Sequence, residues 1–218
     1  MNCLLVAATA PEIAVFLDHY RHTDKTSFVD INIDVLITRV GLMATTYSLT
    51  RQFALRRPDL VIQAGIGGCF DKKIPLGSVL AVKQDTVADQ AVVEQKDLKT
   101  MFSLGFADPD QLPYTKGWLV NADKGIFKRN KLKAVNAVTV NQVTTDPVMT
   151  RLYVKHFKPV VESMEGAALH YVCLSEKVPF LQLRSVSNYI GERNKAKWKI
   201  KEAIGNLNNE LIRLLESL

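Results

Sequence analysis

Two carboxylates, one amide and a glycine-rich segment carry the chemistry that this chain can do. Glu165 lies in the stretch from Val160 to Ala168, where a β-branched pair is followed by small residues. This pattern predicts a strand that turns into a helix, with Glu165 in the first helical turn. Backbone N–H groups and the positive helix end would hold its carboxylate there, ready to accept two hydroxyl hydrogen bonds. The alternative is that Glu165 only caps its helix.

The types of the other residues indicate cleavage of an N-ribosidic bond. Met164 can pack on the apolar face of a sugar beside Glu165, and Glu12 can act as a general base for water. Asn188 has an amide that can hold both N7–H and O6 of a 6-oxopurine. The oxocarbenium-like transition state of such a cleavage is stabilised by nearby carboxylates. We therefore expect Glu12 and Asn188 to be catalytic and Met164 and Glu165 to bind substrate.

The segment Gly65-Ile66-Gly67-Gly68 follows a short apolar, β-branched run and predicts a glycine turn after a strand. Glycines allow a ligand to approach the backbone closely and leave N–H groups free to bind oxygen atoms. We therefore expect Ile66 and Gly67 to contact the substrate. The segment is neither a dinucleotide-binding fingerprint, because G-x-G-x-x-G is absent, nor a P-loop, because no Gly-Lys-Ser/Thr follows.

These residues need a sheet that brings them to one edge. Alternating strand and helix patterns predict a three-layer αβα sandwich with a central mixed, largely parallel sheet, in one domain over residues 1–218. The predicted parallel strands end at Ala8, Ala64, Val143, Ser163 and Ser187. Ligands of open α/β sheets bind beyond such carboxyl ends. The candidate site residues follow these ends directly.

Other segments frame this sheet. Residues 30–40 alternate in a strand pattern, a helix is predicted from Leu42 to about Arg56, and Asp146-Pro147 starts another helix. The final helix begins near Trp198. Residues 100–116 form a long irregular connection, which is typical of a lid or an interface segment.

Composition limits the class of protein. With 218 residues, 47% hydrophobic and 23% charged, the chain is expected to bury a substantial core. Its three cysteines, Cys3, Cys69 and Cys173, show no C-x-x-C spacing, so we expect reduced thiols and neither a metal nor a cofactor. The apolar start lacks a basic region and no run reaches the length of a membrane span, so we expect a cytoplasmic protein with no membrane contact.

The formal net charge of +6 is spread along the chain except in residues 193–201. There Arg193 and four lysines crowd together at spacings that do not share one helical face, and Glu192 and Glu202 flank them. This arrangement argues against nucleic acid as a partner. A solvated loop and a site for an anionic small molecule both remain open.

The same residues resemble those of the purine nucleoside phosphorylase and nucleosidase superfamily, especially the methylthioadenosine/S-adenosylhomocysteine nucleosidases. The first 12 residues, the glycine segment, residues 161–168 and residues 184–188 match in order. The resemblance implies a nucleoside phosphorylase-like fold and a homo-oligomer, dimeric or higher, that acts on a purine nucleoside. It also implies that Glu12 activates water, that Met164 and Glu165 bind the ribose, and that Asn188 recognises the purine.

Three positions depart from that pattern. Asn188 stands where adenine-specific nucleosidases have Asp, Ser163 stands where many relatives carry a further Glu, and Arg39 stands where glycine is commoner. The segment from Ser187 to Trp198 is similar to the futalosine hydrolase branch, which uses a hypoxanthine nucleoside in menaquinone biosynthesis. If the chain acts on futalosine, we expect Arg193 to bind the carboxylate of that substrate.

Several alternatives stay open at this point. A methylthioadenosine/S-adenosylhomocysteine nucleosidase and a phosphorylase share the expected fold, although a phosphorylase needs arginines and a hydroxyl around a phosphate site. A non-catalytic nucleoside-binding module would use Glu12 and Glu165 only as helix caps. The sequence also leaves open whether Asp85, Asp89 or Asp146 reaches the site.

Overall fold

Strands and helices alternate along the chain in the computed structural model, which describes residues 1–23 and 31–218. The strands are β1 (Asn2–Ala7), β2 (Asn32–Ile37), β3 (Leu60–Cys69), β4 (Val79–Asp85), β5 (Ala91–Glu94), β6 (Asp97–Thr100), β7 (Leu119–Val120), β8 (Ala134–Thr139), β9 (Val161–Ser163) and β10 (Phe180–Tyr189). The α-helices are α1 (Ala14–His22), α2 (Leu42–Leu55), α3 (Lys124–Asn130), α4 (Pro147–Phe157), α5 (Gly166–Ser175) and α6 (Ile200–Leu215). Short 3-10 helices cover Ala10–Ile13 and Lys195–Lys197.

Eight strands form one mixed sheet in the order β10-β4-β8-β9-β3-β1-β2, with β7 paired to β4. Strands β1, β2, β3 and β10 run parallel to one another where they pair, whereas β4–β10 and β3–β9 are antiparallel. Strand β10 pairs with β3 as well as with β4. The sheet therefore closes on itself through β3, β10, β4, β8 and β9.

Both faces of the sheet are covered by helices. Along β1, Cys3 and Leu5 pack with buried residues of α1 and α6, whereas Leu4 and Val6 pack with buried residues of α2 and α5. Successive strand residues point to opposite faces, so a strand buried on both sides has a continuous apolar sequence. The predicted three-layer αβα sandwich with a mixed central sheet is confirmed.

The glycine segment is where prediction and structure differ most. Residues 65–68 do not form a turn, because they lie inside β3, which continues to Cys69. They pair with β10 from Gly65 opposite Arg184 to Cys69 opposite Tyr189. The glycines are needed for close contact: a Cβ on Gly67 would lie 2.8 Å from the carbonyl oxygen of Glu162. The predicted end of this strand at Ala64 is therefore wrong.

Two other strand ends also differ from the prediction. Strand β10 continues through Asn188 to Tyr189 instead of ending at Ser187, because it keeps pairing with the extended β3. Strand β8 ends at Thr139 instead of Val143, and the chain then leaves the sheet. The end of β9 at Ser163 is as predicted, and β1 ends one residue before the predicted Ala8.

The helices agree more closely with the sequence. Helix α2 ends one residue before the predicted Arg56, and α4 starts with Pro147 after Asp146, whose carboxylate accepts from the Val148 N–H at 2.8 Å. The strand predicted over residues 30–40 is shorter in the structure, and its first residue, Asp30, lies outside the described residues.

Three further observations concern composition and surface. The three cysteines are free and buried. None of the helices in the described part of the chain is long and apolar enough to span a membrane. Residues 101–116 contain no helix or strand, as the predicted irregular connection requires.

Candidate active site

A cavity of about 430 Å³ opens at the ends of β1, β3, β9 and β10. Its walls are Ala8, Thr9, Pro11, Glu12, Val40, Ile66, Gly67, Gly68, Val143, Glu162, Ser163, Met164, Glu165, Ser187, Asn188, Ile190, Trp198, Ile200 and Ile204. The structure thus brings together six of the seven predicted site residues. Three glutamates line this cavity, and no lysine or arginine does so among the described residues.

A second cavity of about 360 Å³ lies under the 101–116 connection. Its walls include the aromatic residues Phe102, Tyr114, Trp118 and Phe157, but none of its described lining residues is a carboxylate. It therefore lacks the carboxylates that stabilise the oxocarbenium-like transition state of ribosidic bond cleavage. The chemistry belongs to the first cavity.

Glu12 is held from two sides of the first cavity. It lies in the 3-10 helix after β1, where its Oε2 accepts from Thr9 N–H at 3.0 Å and from the Thr9 hydroxyl at 3.1 Å. Its Oε1 accepts from Ile66 N–H at 3.1 Å. The local helix cap is present, but the bond to β3 shows that Glu12 also spans to a neighbouring strand. The N–H of Ile66 is therefore occupied by Glu12. The sequence pattern had predicted a free N–H for a ligand at this position.

Glu165 is the residue before α5, but its side chain does not cap that helix. Its Oε1 accepts from Gly41 N–H at 3.2 Å and its Oε2 from Arg184 Nη1 at 3.3 Å. The helix N–H groups are taken by two hydroxyls instead, because Ser163 Oγ accepts from Gly166 and Thr139 Oγ1 accepts from Ala167. Both the predicted helix-end anchoring and the capping alternative are wrong for Glu165.

Arg184 holds Glu165 from behind the cavity wall, and sequence reasoning assigned it no role. It lies on β10 opposite Gly65, and its side chain is 2% exposed. The guanidinium pairs with Glu165 and donates to Gln63 Oε1 at 2.9 Å. A Cβ on Gly65 would collide with Arg184 Nη1 and lie 3.1 Å from Glu12 Oε1. The side chains of Glu12 and Arg184 therefore both lie next to this glycine. The sequence signal was the match of residues 184–188 to the family pattern.

A buried polar network supports Arg184 from behind. With its amide oriented to satisfy its neighbours, Gln182 accepts from Arg184 Nε at 3.2 Å and donates to Asp85 Oδ2 at 3.3 Å and His170 Nε2 at 2.8 Å. Burial raises the pKa of Asp85 to about 6, against an opposing hydrogen bond from Thr139. Burial also lowers the pKa of His170 to about 4. The network fixes Arg184, and through it Glu165, without reaching the cavity.

Asn188 lies on β10 and lines the same cavity. Its Oδ1 accepts from Ser187 Oγ at 2.9 Å and its Nδ2 donates to the Tyr189 carbonyl at 3.2 Å. An amide has two acceptor positions and two donor hydrogens. One acceptor position and one N–H of Asn188 therefore remain for a ligand.

Glu162 is the third carboxylate of the cavity, and sequence reasoning did not single it out. It is 4% exposed, and its Oε1 accepts from Thr144 N–H at 2.9 Å. Burial raises the pKa of its carboxyl group, against hydrogen bonds from Thr144. Its position two residues before Met164 was visible in the sequence, but its burial depends on the fold of residues 140–146.

Arg193 is the predicted site residue that the structure does not place in the cavity wall. It is exposed, and its guanidinium lies 5.8 Å from the ring centre of Trp198, which does line the cavity. Arg39 is also exposed and has a φ of 70°, a left-handed conformation that explains why glycine suits this position. Asp85, Asp89 and Asp146 lie outside the cavity wall.

The carboxylates and the amide of this cavity suit a reaction in which positive charge develops on a sugar. Three carboxylates around one cavity favour developing positive charge, and Asn188 offers a donor and an acceptor to a base. Within residues 1–23 and 31–218, no group of three or more His, Cys, Asp or Glu side chains could hold a metal ion.

The sequence profile of the family described as "Phosphorylase superfamily" matches residues 4–218. A futalosine hydrolase of Streptomyces coelicolor is 31% identical over 156 residues, which are 72% of this chain and 65% of the relative. The match thus spans slightly less than two thirds of that relative's length.

Two further proteins are similar over a larger share of their length. A 5'-methylthioadenosine/S-adenosylhomocysteine nucleosidase of Shewanella sediminis is 25% identical over 205 residues, 86% of each chain. The native structure of the futalosine hydrolase of Helicobacter pylori superposes with a TM-score of 0.79 at 18% identity, covering 100% of this chain and 98% of that one. At this identity the superposition supports the fold alone.

Proposed function

Because the chain belongs to the phosphorylase superfamily, we propose that it is a nucleosidase, an N-glycosidase that hydrolyses the N-ribosidic bond of a 6-oxopurine nucleoside. The observation that carries this proposal is the arrangement of Glu12, Glu165 and Asn188 around one cavity. The names of the relatives support the nucleosidase class, since they are futalosine hydrolases and methylthioadenosine/S-adenosylhomocysteine nucleosidases.

Glu165 and Met164 would hold the ribose. Each oxygen of the Glu165 carboxylate has one partner, Gly41 N–H or Arg184, so each keeps an acceptor position for a ribose hydroxyl. Arg184 and Gly41 fix the orientation of the carboxylate before substrate arrives. Met164 contributes an apolar surface next to it.

Glu12 would take the proton from the attacking water. Its two oxygens are fixed by Thr9 and by Ile66, which removes rotational freedom from the base. Positive charge developing on the ribose is stabilised by both carboxylates.

Asn188 would bind the leaving base. Its free N–H donates to O6 and its free acceptor position takes N7–H as the base departs. A 6-aminopurine presents a donor where O6 would be, which leaves two donors facing each other. This pattern favours hypoxanthine over adenine as the leaving group.

Water is favoured over phosphate as the nucleophile. The described residues that line the cavity include three glutamates and no cationic side chain, and the nearby Arg184 is already paired with Glu165. A phosphate dianion beside the ribose would find no lysine or arginine in the described cavity wall and would face like charge. The proposal is therefore hydrolysis and not phosphorolysis.

The specific substrate that we propose is futalosine, with hypoxanthine and dehypoxanthine futalosine as products in menaquinone biosynthesis. The similarity to the futalosine hydrolase of S. coelicolor supports this choice. Arg193, which lies over Trp198 at the cavity, is the cation that we propose for the carboxylate of futalosine.

A second copy of the chain would complete the site. The apolar side chains of Val40, Met43, Tyr47 and Val143 are exposed, and two of them, Val40 and Val143, also line the cavity. Exposed apolar patches of this kind mark contact surfaces. We propose that the protein is a homo-oligomer, a dimer or higher, that buries this patch.

The test is product identification. The purified protein is incubated with inosine, futalosine, methylthioadenosine and AMP, with and without phosphate, and both products of each reaction are identified. We expect hypoxanthine and a free ribosyl product from futalosine, without any need for phosphate. Ribose 1-phosphate would indicate a phosphorylase, preference for methylthioadenosine would indicate the related nucleosidase, and no turnover with intact binding would indicate a non-catalytic module.

A further inference from the structure

The buried charges of the molecule are unequal in number. In the described part of the chain Arg184 is the only buried lysine or arginine, whereas four carboxylates are buried: Glu12, Asp85, Glu162 and Glu165. Glu165 pairs with Arg184 at 3.3 Å. Such a pair has no net charge, so it attracts a positive charge on a ligand less strongly than a single carboxylate does. Any further charge next to Arg184 therefore affects how strongly Glu165 attracts a cation.

Asp85 is a second carboxylate linked to Arg184, although it lies outside the cavity wall. One side chain connects them: the Gln182 carbonyl oxygen accepts from Arg184 Nε at 3.2 Å, and the Gln182 amide donates to Asp85 Oδ2 at 3.3 Å. Asp85 is 0% exposed and Arg184 is 2% exposed. Solvent therefore screens the attraction between the two charges less than it screens surface charges.

The contacts of Asp85 are those of an ionised carboxylate. Thr139 Oγ1 donates to its Oδ1 at 3.0 Å, and the Gln182 amide donates to its Oδ2. Donors of this kind favour the ionised form, although burial raises the pKa of Asp85 to about 6. Asp85 therefore carries a negative charge at pH 7.

Two charged or titratable side chains of the described residues face this link. Arg184 faces it from β10 and His170 faces it from α5, whereas β8 presents the Thr139 hydroxyl. His170 Nδ1 lies 2.9 Å from the carbonyl oxygen of Leu119, which can only accept, so Nε2 is the acceptor for the Gln182 amide. Burial lowers the pKa of His170 to about 4, so it stays neutral above pH 5.

We propose that Asp85 is a positioning residue that acts on the ribose site through Gln182 and Arg184. Its charge balances that of Arg184, so that Glu165 meets the sugar as an anion and not as half of a neutral pair. This inference rests on the proposed function. The positive charge that develops on the ribose is then attracted by one net negative charge from Asp85, Arg184 and Glu165 together.

A purely structural role makes a different prediction. If Asp85 only holds Gln182 and the start of α5 in place, its replacement will weaken the binding of charged and neutral sugars alike. If it balances charge, its replacement will weaken the binding of a cationic sugar selectively. The readout is therefore the ratio of two dissociation constants, for protonated 1,4-dideoxy-1,4-iminoribitol and for the neutral 1,4-anhydroribitol of the same shape.

The first experiment measures this ratio by calorimetry at pH 7 in the wild type and in Asp85→Asn, which removes the charge and keeps the size. We expect affinity for the iminoribitol to fall about fivefold or more, and affinity for the anhydroribitol to change much less. An equal change for both sugars in a folded Asp85→Asn variant, as judged by thermal unfolding, would overturn the proposal.

Two control variants separate charge from packing. Gln182→Asn shortens the link without changing any charge, so it should change both affinities by the same factor. Glu94→Gln removes an exposed negative charge that is paired with Lys99 outside the cavity wall, so it should leave the ratio at its wild-type value. A selective loss of iminoribitol binding in either control would overturn the assignment of the effect to the charge of Asp85.

The second experiment needs no folded variant, because it follows the wild type from pH 7 to pH 5, where the imino sugar stays protonated. Asp85 loses its charge as the pH falls through about 6, so the preference for the iminoribitol should fall with a midpoint near that pH. A preference that stays constant over this range would overturn the proposal. So would the same midpoint in a folded Asp85→Asn variant.

Failure of the proposed function is recognised separately. Hydrolysis of inosine or futalosine by the wild type tests that function alone, whereas binding of the two sugars needs no turnover. If neither nucleoside is hydrolysed, a preference for the iminoribitol that depends on Asp85 still supports the inference. Absence of binding of both sugars overturns it.

Discussion

At the scale of single residues, the two carboxylates proposed to act on the ribose are held by different partners. Substituting them should therefore have different effects on binding and turnover. Glu165 is held by Gly41 and by the buried Arg184, and its proposed role is that of a rigid acceptor for ribose hydroxyls. Glu12 is held by Thr9 and Ile66, and its proposed role is to take a proton from water. Substitution by glutamine keeps the shape of each side chain and removes its charge.

We expect Glu165→Gln to lower kcat/KM at least tenfold through both binding and turnover. The new amide nitrogen would face either Gly41 N–H or Arg184, two donors, and the charge-assisted bond that is lost contributes about 1.5–3 kcal/mol. Steady-state kinetics with futalosine and inosine would measure the loss, with Glu94→Gln as the exposed control. Kinetics equal to those of the wild type would show that Glu165 does not bind the ribose.

Glu12→Gln should retain binding and lose hydrolysis. General base catalysis contributes roughly 10²–10⁴-fold, so kcat should fall by at least a hundredfold while KM changes little. Calorimetry with a non-hydrolysed nucleoside analogue would confirm that binding persists. Normal turnover in this variant would mean that another group activates the water.

Asn188→Asp should move the base preference toward 6-aminopurines. One carboxyl oxygen of the aspartate would face the Tyr189 carbonyl, which disfavours the ionised form, and a protonated carboxyl can donate where the amide donated before. We expect the value of kcat/KM for inosine divided by that for methylthioadenosine to fall at least tenfold, or to drop below one so that the preference reverses. Asn206→Asp, which changes a side chain bonded to Gly77 outside the cavity wall, should leave the ratio unchanged.

The sequence indicated most site residues but not the contacts that hold them. Residue types at strand ends were sufficient to select Glu12, Met164, Glu165 and Asn188. The anchor of Glu165 could not be predicted, because Gly41 and Arg184 are distant in the sequence and reach it only through β2–α2 and β10. Glu162 was missed because its burial arises from the 140–146 segment, whose path no local pattern determines.

At the scale of elements, the start of α5 is where packing sets the position of Glu165. Two hydroxyls from neighbouring strands, Ser163 and Thr139, accept from the first helix N–H groups. Ser163 therefore works as a helix cap. The helix can be placed so close to the sheet only because its first residue is Gly166.

We expect Gly166→Ala to destabilise the fold and to lower activity. The new methyl group would collide with the side-chain amide of Gln182 and with Asp85 Oδ2, both in the buried network behind Arg184. Overpacking of a core typically costs about 1–3 kcal/mol. Urea unfolding would measure this loss, and kcat/KM should fall as well because Glu165 moves with the helix.

Gly205→Ala is the matched control. Gly205 lies inside α6, and no heavy atom lies within 4 Å of a Cβ built there. Alanine is favoured over glycine inside a helix by roughly 0.5–1 kcal/mol, so this variant should be more stable than the wild type. A Gly166→Ala variant as stable as Gly205→Ala would contradict the tight packing at the start of α5.

Local patterns predicted helices better than strand ends for a physical reason. Helix bounds depend on nearby caps, such as Asp146 before α4, which the sequence shows directly. The ends of β3 and β10 depend on each other, because each continues only while the other pairs with it. Glycines in such a strand look like a turn unless the close approach of β9 to Gly67 is known.

At the scale of the whole molecule, the surface next to the cavity is unusually apolar. On α2, Met43 is 86% exposed and Tyr47 is 66% exposed, four residues apart and thus on one helical face. Helix α2 begins beside Gly41, whose N–H holds Glu165. A contact that covers α2 would therefore also affect the ribose site.

The last prediction follows from this surface. If a second copy covers α2, Met43→Glu places a charge in an apolar contact, and the protein should become monomeric at micromolar concentration with a raised KM. Leu55→Glu, at the far end of the same helix and 73% exposed, is the matched control and should keep the oligomer. Light scattering during gel filtration, together with kinetics on the same samples, would measure both effects. A wild type that is already monomeric at tens of micromolar, or a Met43→Glu variant that stays oligomeric and fully active, would show that this apolar surface is not the contact between copies.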